Sequence, residues 1–215
     1  MAKIVPGILT TSQEQYTEKL KKAEHVCDFI QIDVVDGKFS KNETVGVDVI
    51  KKNPTSALLE VQLMVVEPLG YVKDLAGVDF VSRIIFPLEI GEDIREIIYA
   101  IKKLDKQAGL SLNPQTPVEE ALRYFDDLDL LLLMTGNPGY SGQKLGESVY
   151  NRIKIAKTLD QNLPIEIDIG VNFENAAKLA RAGANFLVTS STLFNSPNML
   201  DAYESLARLA KVNNN

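Results

Sequence analysis

The sequence predicts a closed α/β barrel of the (β/α)8 kind, and three observations predict it. Short apolar runs alternate with helical stretches eight times along the 215 residues, the order a parallel barrel requires. The run from Leu128 to Thr135 is almost continuously apolar, as a strand buried on both faces must be. Polar residues recur inside other runs: Gln31 and Asp33 within Phe29 to Phe39, Gln62 within Leu58 to Met64, and Asp168 near the end of Ile165 to Gly170. A strand sends successive side chains to opposite faces, so Ile30, Ile32 and Val34 share one face and Gln31, Asp33 and Val35 the other. A sheet with one wet face gives the same alternation. Repetition on several strands favours a barrel, where polar groups at strand ends converge on one centre.

Taken in order, Lys3 to Leu9 is the first strand, and Ser12 to Gln15 is a capping box opening a helix through about Ala23. Phe29 to Val34 follows, then a polar loop to Gly46 and a short helix at Val47 to Lys52. After the strand Leu58 to Met64, Pro68 takes the first turn of a helix reaching Ala76. Phe80 to Phe86 is the fourth strand, and Ile94, Ile97, Ile98 and Ile101 form the core stripe of the next helix. Ala108 to Leu112 precedes Thr116-Pro117-Val118-Glu119, a cap, proline and reciprocal glutamate that predict a helix to about Phe125. A helix over Glu147 to Leu159 follows the glycine-rich loop Gly136 to Gly146; after the seventh strand, Asn172 caps a helix through Ala182. Phe186 to Thr189 is the eighth strand, and a helix over Asn198 to Lys211 closes the chain. The count is that of a single-domain TIM barrel spanning 1–215, with 212–215 expected to fray.

Composition narrows the function. With 45% hydrophobic residues the chain can bury one large core. A net charge of -6 and a pI near 5.0 leave no basic footprint for nucleic acid. No apolar run is long enough to span a bilayer, and no leader is visible, so the expectation is a cytoplasmic protein without a membrane partner. Cys27 is the one cysteine, which excludes an internal disulfide and a cysteine-based zinc cluster.

Strand ends supply Asp33, Gln62, Met64, Met134 and Asp168. Two acids facing each other suit a reaction in which one takes a proton from a carbon and the other returns one to the opposite face. A structural pairing of each acid with a lysine or with backbone is the alternative. The loops after strands six, seven and eight hold Asn137 to Gln143, Ile169 to Asn172 and Thr189 to Thr192. Glycine and helix starts at such loops form phosphate sites in barrels.

At these residues the chain resembles the ribulose-phosphate 3-epimerase family. The likeness rests on Ile-Val-Pro-Gly-Ile-Leu at the start, Ile-Asp-Val-Val-Asp-Gly-Lys-Phe at 32–39, Val-Gln-Leu-Met at 61–64, Leu-Asn-Pro-Gln-Thr-Pro at 112–117, Leu-Leu-Met-Thr-Gly-Asn-Pro-Gly-Tyr-Ser-Gly-Gln at 132–143 and Ile-Asp-Ile-Gly-Val at 167–171. The resemblance implies that Asp33 and Asp168 transfer protons and also ligate a divalent metal. It implies a substrate and phosphate site at Gly139, Tyr140, Ser141, Gly142, Ile169, Gly170, Ser190 and Ser191, bordered by Gly7 and Gln62, and association into a homo-oligomer. The family has histidine ligands where this chain has Gln31 and Gln62, a serine at Gly7, a methionine at Val35, and glycines at Ile169 and Ser190.

The expected function is that of an isomerase, an epimerase acting on a phosphorylated ketose of the pentose phosphate kind by two-acid proton transfer. The alternative is a sugar-phosphate-binding barrel with that activity lost or with another substrate. Amide oxygens are hard, weakly basic donors, so a metal at Asp33, Asp168, Gln31 and Gln62 would be magnesium or manganese in preference to zinc. The other arrangement is a metal-free site, with both glutamines hydrogen-bonded to the acids or to water.

Overall fold

The computed structural model describes residues 1–211, so the frayed end expected at 212–215 lies outside the described residues. Eight parallel strands close a ring in chain order: β1 (Lys3–Ile8), β2 (Phe29–Val35), β3 (Leu58–Met64), β4 (Val81–Pro87), β5 (Gln107–Leu112), β6 (Leu130–Met134), β7 (Ile165–Asp168) and β8 (Phe186–Thr189). Closure is made by β8 on β1, from Lys3 opposite Phe186 to Pro6 opposite Thr189. The parity read from β2 holds. Ile30, Ile32 and Val34 pack outward into the core shared with the helices, and Val35 joins Met64, Ile85, Leu130, Leu132 and Met134 inside the ring.

The helices are α1 (Gln13–Glu24), α2 (Val47–Lys52), α3 (Pro68–Asp74), α4 (Ile94–Lys102), α5 (Val149–Leu159), α6 (Ala176–Ala182), α7 (Ser191–Phe194) and α8 (Met199–Ala210). Three details depart from expectation. The segment after β5 is a 3-10 helix, Val118–Asp127. Its expected cap is diverted, because the Thr116 hydroxyl donates to the Glu89 carboxylate instead of receiving a helix N–H. Asn172 makes a turn, accepting from Glu174 N at 2.9 Å, and α6 starts only at Ala176. Half of the first capping box forms: Ser12 Oγ accepts from Gln15 N at 3.2 Å, while Gln15 turns its side chain to Thr10. The short helix α7 was not legible in the sequence.

Inside the ring, the N-terminal half is charged. Arg83 Nη1 on β4 lies 2.8 Å from Glu60 Oε2 on β3 and 3.6 Å from Glu166 Oε2 on β7, and all three side chains are buried. The guanidinium also rests against the rings of Phe29 and Phe186, 5.2 and 4.8 Å from their centroids. This layer is a floor, and the polar residues next along the same strands stand above it.

Candidate active site

Register sets the site. Asp33 pairs with Gln62 across β2 and β3, and Met134 with Asp168 across β6 and β7, which brings these residues to the C-terminal mouth of the barrel. Gln31 Nε2 donates to Asp33 Oδ1 at 2.8 Å and to Gln62 Oε1 at 3.0 Å. The same Gln62 amide atom lies 3.2 Å from Asp33 Oδ1 and 3.1 Å from Asp168 Oδ2. With the oxygen at that atom the amide accepts from Gln31; with the amide turned over, its nitrogen donates to both acids.

Burial pushes Asp33 well above the usual carboxylate range, and the Asp168 charge pushes it further, while the Gln31 hydrogen bond pulls it down. Burial raises Asp168 to about 6, against the opposing pull of the Ile169 backbone N–H. Two acids this close cannot both ionise freely in a dry setting, and one proton shared between them relieves the conflict.

Above the acids lies a cleft. Gly7 from β1 borders it, the turn Gly139, Tyr140, Ser141 and Gly142 forms one wall, and Ile169 with Gly170 and Ser190 with Ser191 form the other. The residues expected at the site thus come together, except that Gln31 and Gln62 lie beneath the cleft floor, both wholly buried. Several supports were not singled out by the sequence. Asn42 Nδ2 donates to the Gly139 carbonyl at 2.7 Å and Ser40 Oγ to the Pro138 carbonyl at 2.8 Å, so the loop after β2 carries the turn. Gln143 folds back on that turn, donating to the Asn137 and Tyr140 carbonyls at 2.8 Å.

Gly170 has φ 76°, and a Cβ there would run into the Leu145 backbone, so only glycine fits. Its neighbour Ile169 takes φ 78°, a conformation a β-branched residue rarely adopts. Two bonds hold it: its N–H donates to Asp168 Oδ1 at 2.6 Å and its carbonyl accepts from Thr135 Oγ1 at 2.7 Å. The Ile169 side chain packs with Val35, Met64 and Met134. At Gly7 a Cβ would meet Val188 Cγ1 at 2.8 Å, so a serine there requires Val188 to move.

A match to the model of the ribulose-phosphate 3-epimerase family extends over residues 3–194. The chain belongs to this family. It is 39% identical over 204 residues to ribulose-phosphate 3-epimerase of Bacillus subtilis (strain 168), covering 90% of this chain and 93% of that one. It is 34% identical over 209 residues to the protein of the same name from Synechocystis sp., covering 93% and 90%. Among solved structures, 3-hexulose-6-phosphate synthase from Salmonella typhimurium superposes with a TM-score of 0.73 at 15% identity, over 97% of this chain and 98% of that one. That likeness shows the barrel alone.

The family resemblance implies a divalent metal, and the donor set at the acids tests it. Among the described residues no three His, Cys, Asp or Glu side chains cluster as ligands. Gln31 turns a nitrogen to Asp33, and the Gln62 amide, turned over, likewise presents a nitrogen to both acids. An amide N–H has no lone pair for a cation. As arranged, these residues do not fit a divalent ion.

Proposed function

We propose that the protein epimerises a phosphorylated ketose such as ribulose 5-phosphate at the carbon beside the ketone, with Asp33 and Asp168 as the proton-transfer pair. Asp33 takes the proton from one face and Asp168 returns one to the other. The observation that carries the reading is the Gln62 amide, one atom of which stands 3.2 Å from Asp33 Oδ1 and 3.1 Å from Asp168 Oδ2 and so joins the two buried acids in one network. Burial raises both acids out of the usual carboxylate range, so each can hold or release a proton near neutral pH.

The glycine turns supply backbone N–H groups to the phosphate, and Ser190 and Ser191 add hydroxyl donors. Among the described residues no helix is long and apolar enough to cross a membrane. We take the working form to be a cytoplasmic homo-oligomer, as the family reading suggests; sedimentation at 23.8 kDa would contradict association.

The test is incubation with ribulose 5-phosphate in heavy water. Deuterium appearing at carbon 3, together with the epimeric product, supports the reading. Tight binding without exchange would favour a sugar-phosphate-binding barrel instead.

A further inference from the structure

The cleft has two acids in its walls and neither lysine nor arginine. A phosphorylated sugar brings two negative charges of its own, and a positive charge behind the wall would add to the N–H and hydroxyl donors that receive it. Arg83 is committed to Glu60 and Glu166 at the far end of the ring. Arg152, on α5, gives its guanidinium to the carbonyls of Met134 and Asn113 at 2.7 and 2.9 Å. Lys19 is placed differently. It rises from α1, half-buried, with Nζ 3.0 Å from the Leu9 carbonyl and 5.5 Å from the centre of the Phe194 ring. Leu9 belongs to the cleft wall, and Phe194 ends the short helix that follows Ser190.

An ammonium has three donors, and the Leu9 carbonyl takes one. Burial drives the Lys19 proton affinity down, and the Asp33 charge is the larger of the two influences that hold it up. The cation therefore lies within electrostatic reach of the acid pair.

We propose that Lys19 is a positioning residue of the site: its ammonium, held between the Leu9 carbonyl and the Phe194 ring, is the fixed positive charge that draws a phosphorylated sugar into an otherwise acidic cleft. This rests on the epimerase reading above. It acts through the wall and touches no reacting atom, so it governs affinity more than turnover.

Three proteins separate charge from shape. Lys19→Gln keeps a donor for the Leu9 carbonyl and loses the charge, and Lys19→Arg keeps the charge; both are compared with the unaltered protein. The probes are ribulose 5-phosphate in steady-state kinetics, and inorganic phosphate and unphosphorylated ribulose in calorimetric titration. Lys19→Gln is expected to raise KM for ribulose 5-phosphate and Kd for phosphate about tenfold, with kcat within about twofold, and to flatten the salt dependence of both. Lys19→Arg should return KM to within about threefold, and unphosphorylated ribulose should bind all three proteins alike. A folded Lys19→Gln protein with unaltered KM, or one weakened equally toward both sugars, overturns the proposal while leaving the epimerase intact. Failure of the unaltered protein to bind phosphate or turn over ribulose 5-phosphate overturns the functional reading itself, and Lys19 with it.

Discussion

Ile169 donates its backbone N–H to Oδ1 of Asp168, the residue before it, at 2.6 Å and from a backbone held at φ 78°. The strain of that conformation is about 1–3 kcal/mol, and the side chain it carries is buried against Val35, Met64 and Met134. Replacing Ile169 by glycine relieves the strain but forfeits about 2 kcal/mol of burial and adds about 1 kcal/mol of chain entropy. The expected result is a protein slightly less stable in urea, with a roomier cleft and a lower KM for ribulose 5-phosphate. A KM that stays put would mean that Ile169 does not restrict the site.

Asp33→Asn and Asp168→Asn each replace a proton carrier by an amide of nearly the same shape. Each should lower the rate of deuterium incorporation by about 10²-fold or more, while the folded signal in circular dichroism persists. Retention of exchange in both variants would dismiss the two-acid mechanism.

Most of this site was legible because barrel parity is a property of sequence. Gln31 and Asp33 alternate with Ile30 and Ile32, and a parallel barrel gives several such strands a common centre. The turn 137–143 was legible from its glycines. What stayed hidden was reach. Sequence placed Asp33 and Asp168 across a cavity, and only side-chain geometry showed one atom of the Gln62 amide reaching both. Thr116 had the pattern of a cap, yet a carboxylate from another loop, Glu89, claimed its hydroxyl. Glu60 and Glu166 were visible as strand residues, but nothing local announced that Arg83, one strand further on, would join them.

The amides carry a prediction about metals. Protein purified without added ions should contain well below one equivalent of divalent metal by elemental analysis, and millimolar magnesium or manganese should leave its melting temperature unchanged. The double substitution Gln31→His and Gln62→His restores lone pairs beside two carboxylates, and should bind zinc strongly enough to raise the melting temperature. Stoichiometric zinc in the unaltered protein would overturn this account of the glutamines.

Acidity should govern stability in an unusual direction. Burial raises Asp33 and Glu166 well above their usual range, Asp168 to about 6 and Glu60 to about 7. The folded protein keeps protons that the unfolded chain releases near pH 4, so this contribution is complete below about pH 4 and is lost as pH rises through 6 and 7. Urea unfolding should show a fall on the order of a few kcal/mol between pH 5 and pH 8 in the unliganded protein. A flat or rising profile would show that these acids ionise as they do in water.

The charged floor of the barrel supplies the last test. Arg83 is the cation 2.8 Å from Glu60 and 3.6 Å from Glu166, both wholly buried. Arg83→Met removes the cation and the guanidinium's contact with Phe29 and Phe186, and leaves two carboxyls with no partner charge. Breaking a buried pair in this way costs about 3–5 kcal/mol where a carboxylate stays ionised, and the loss is smaller at low pH, where both raised acids hold their protons. Adding Glu60→Gln and Glu166→Gln removes the charges that Arg83 balanced, so the triple variant should recover most of that loss. Chemical denaturation of the single and triple variants decides the point. A triple variant no more stable than Arg83→Met would show that the guanidinium acts by packing against the two rings, with its charge contributing little.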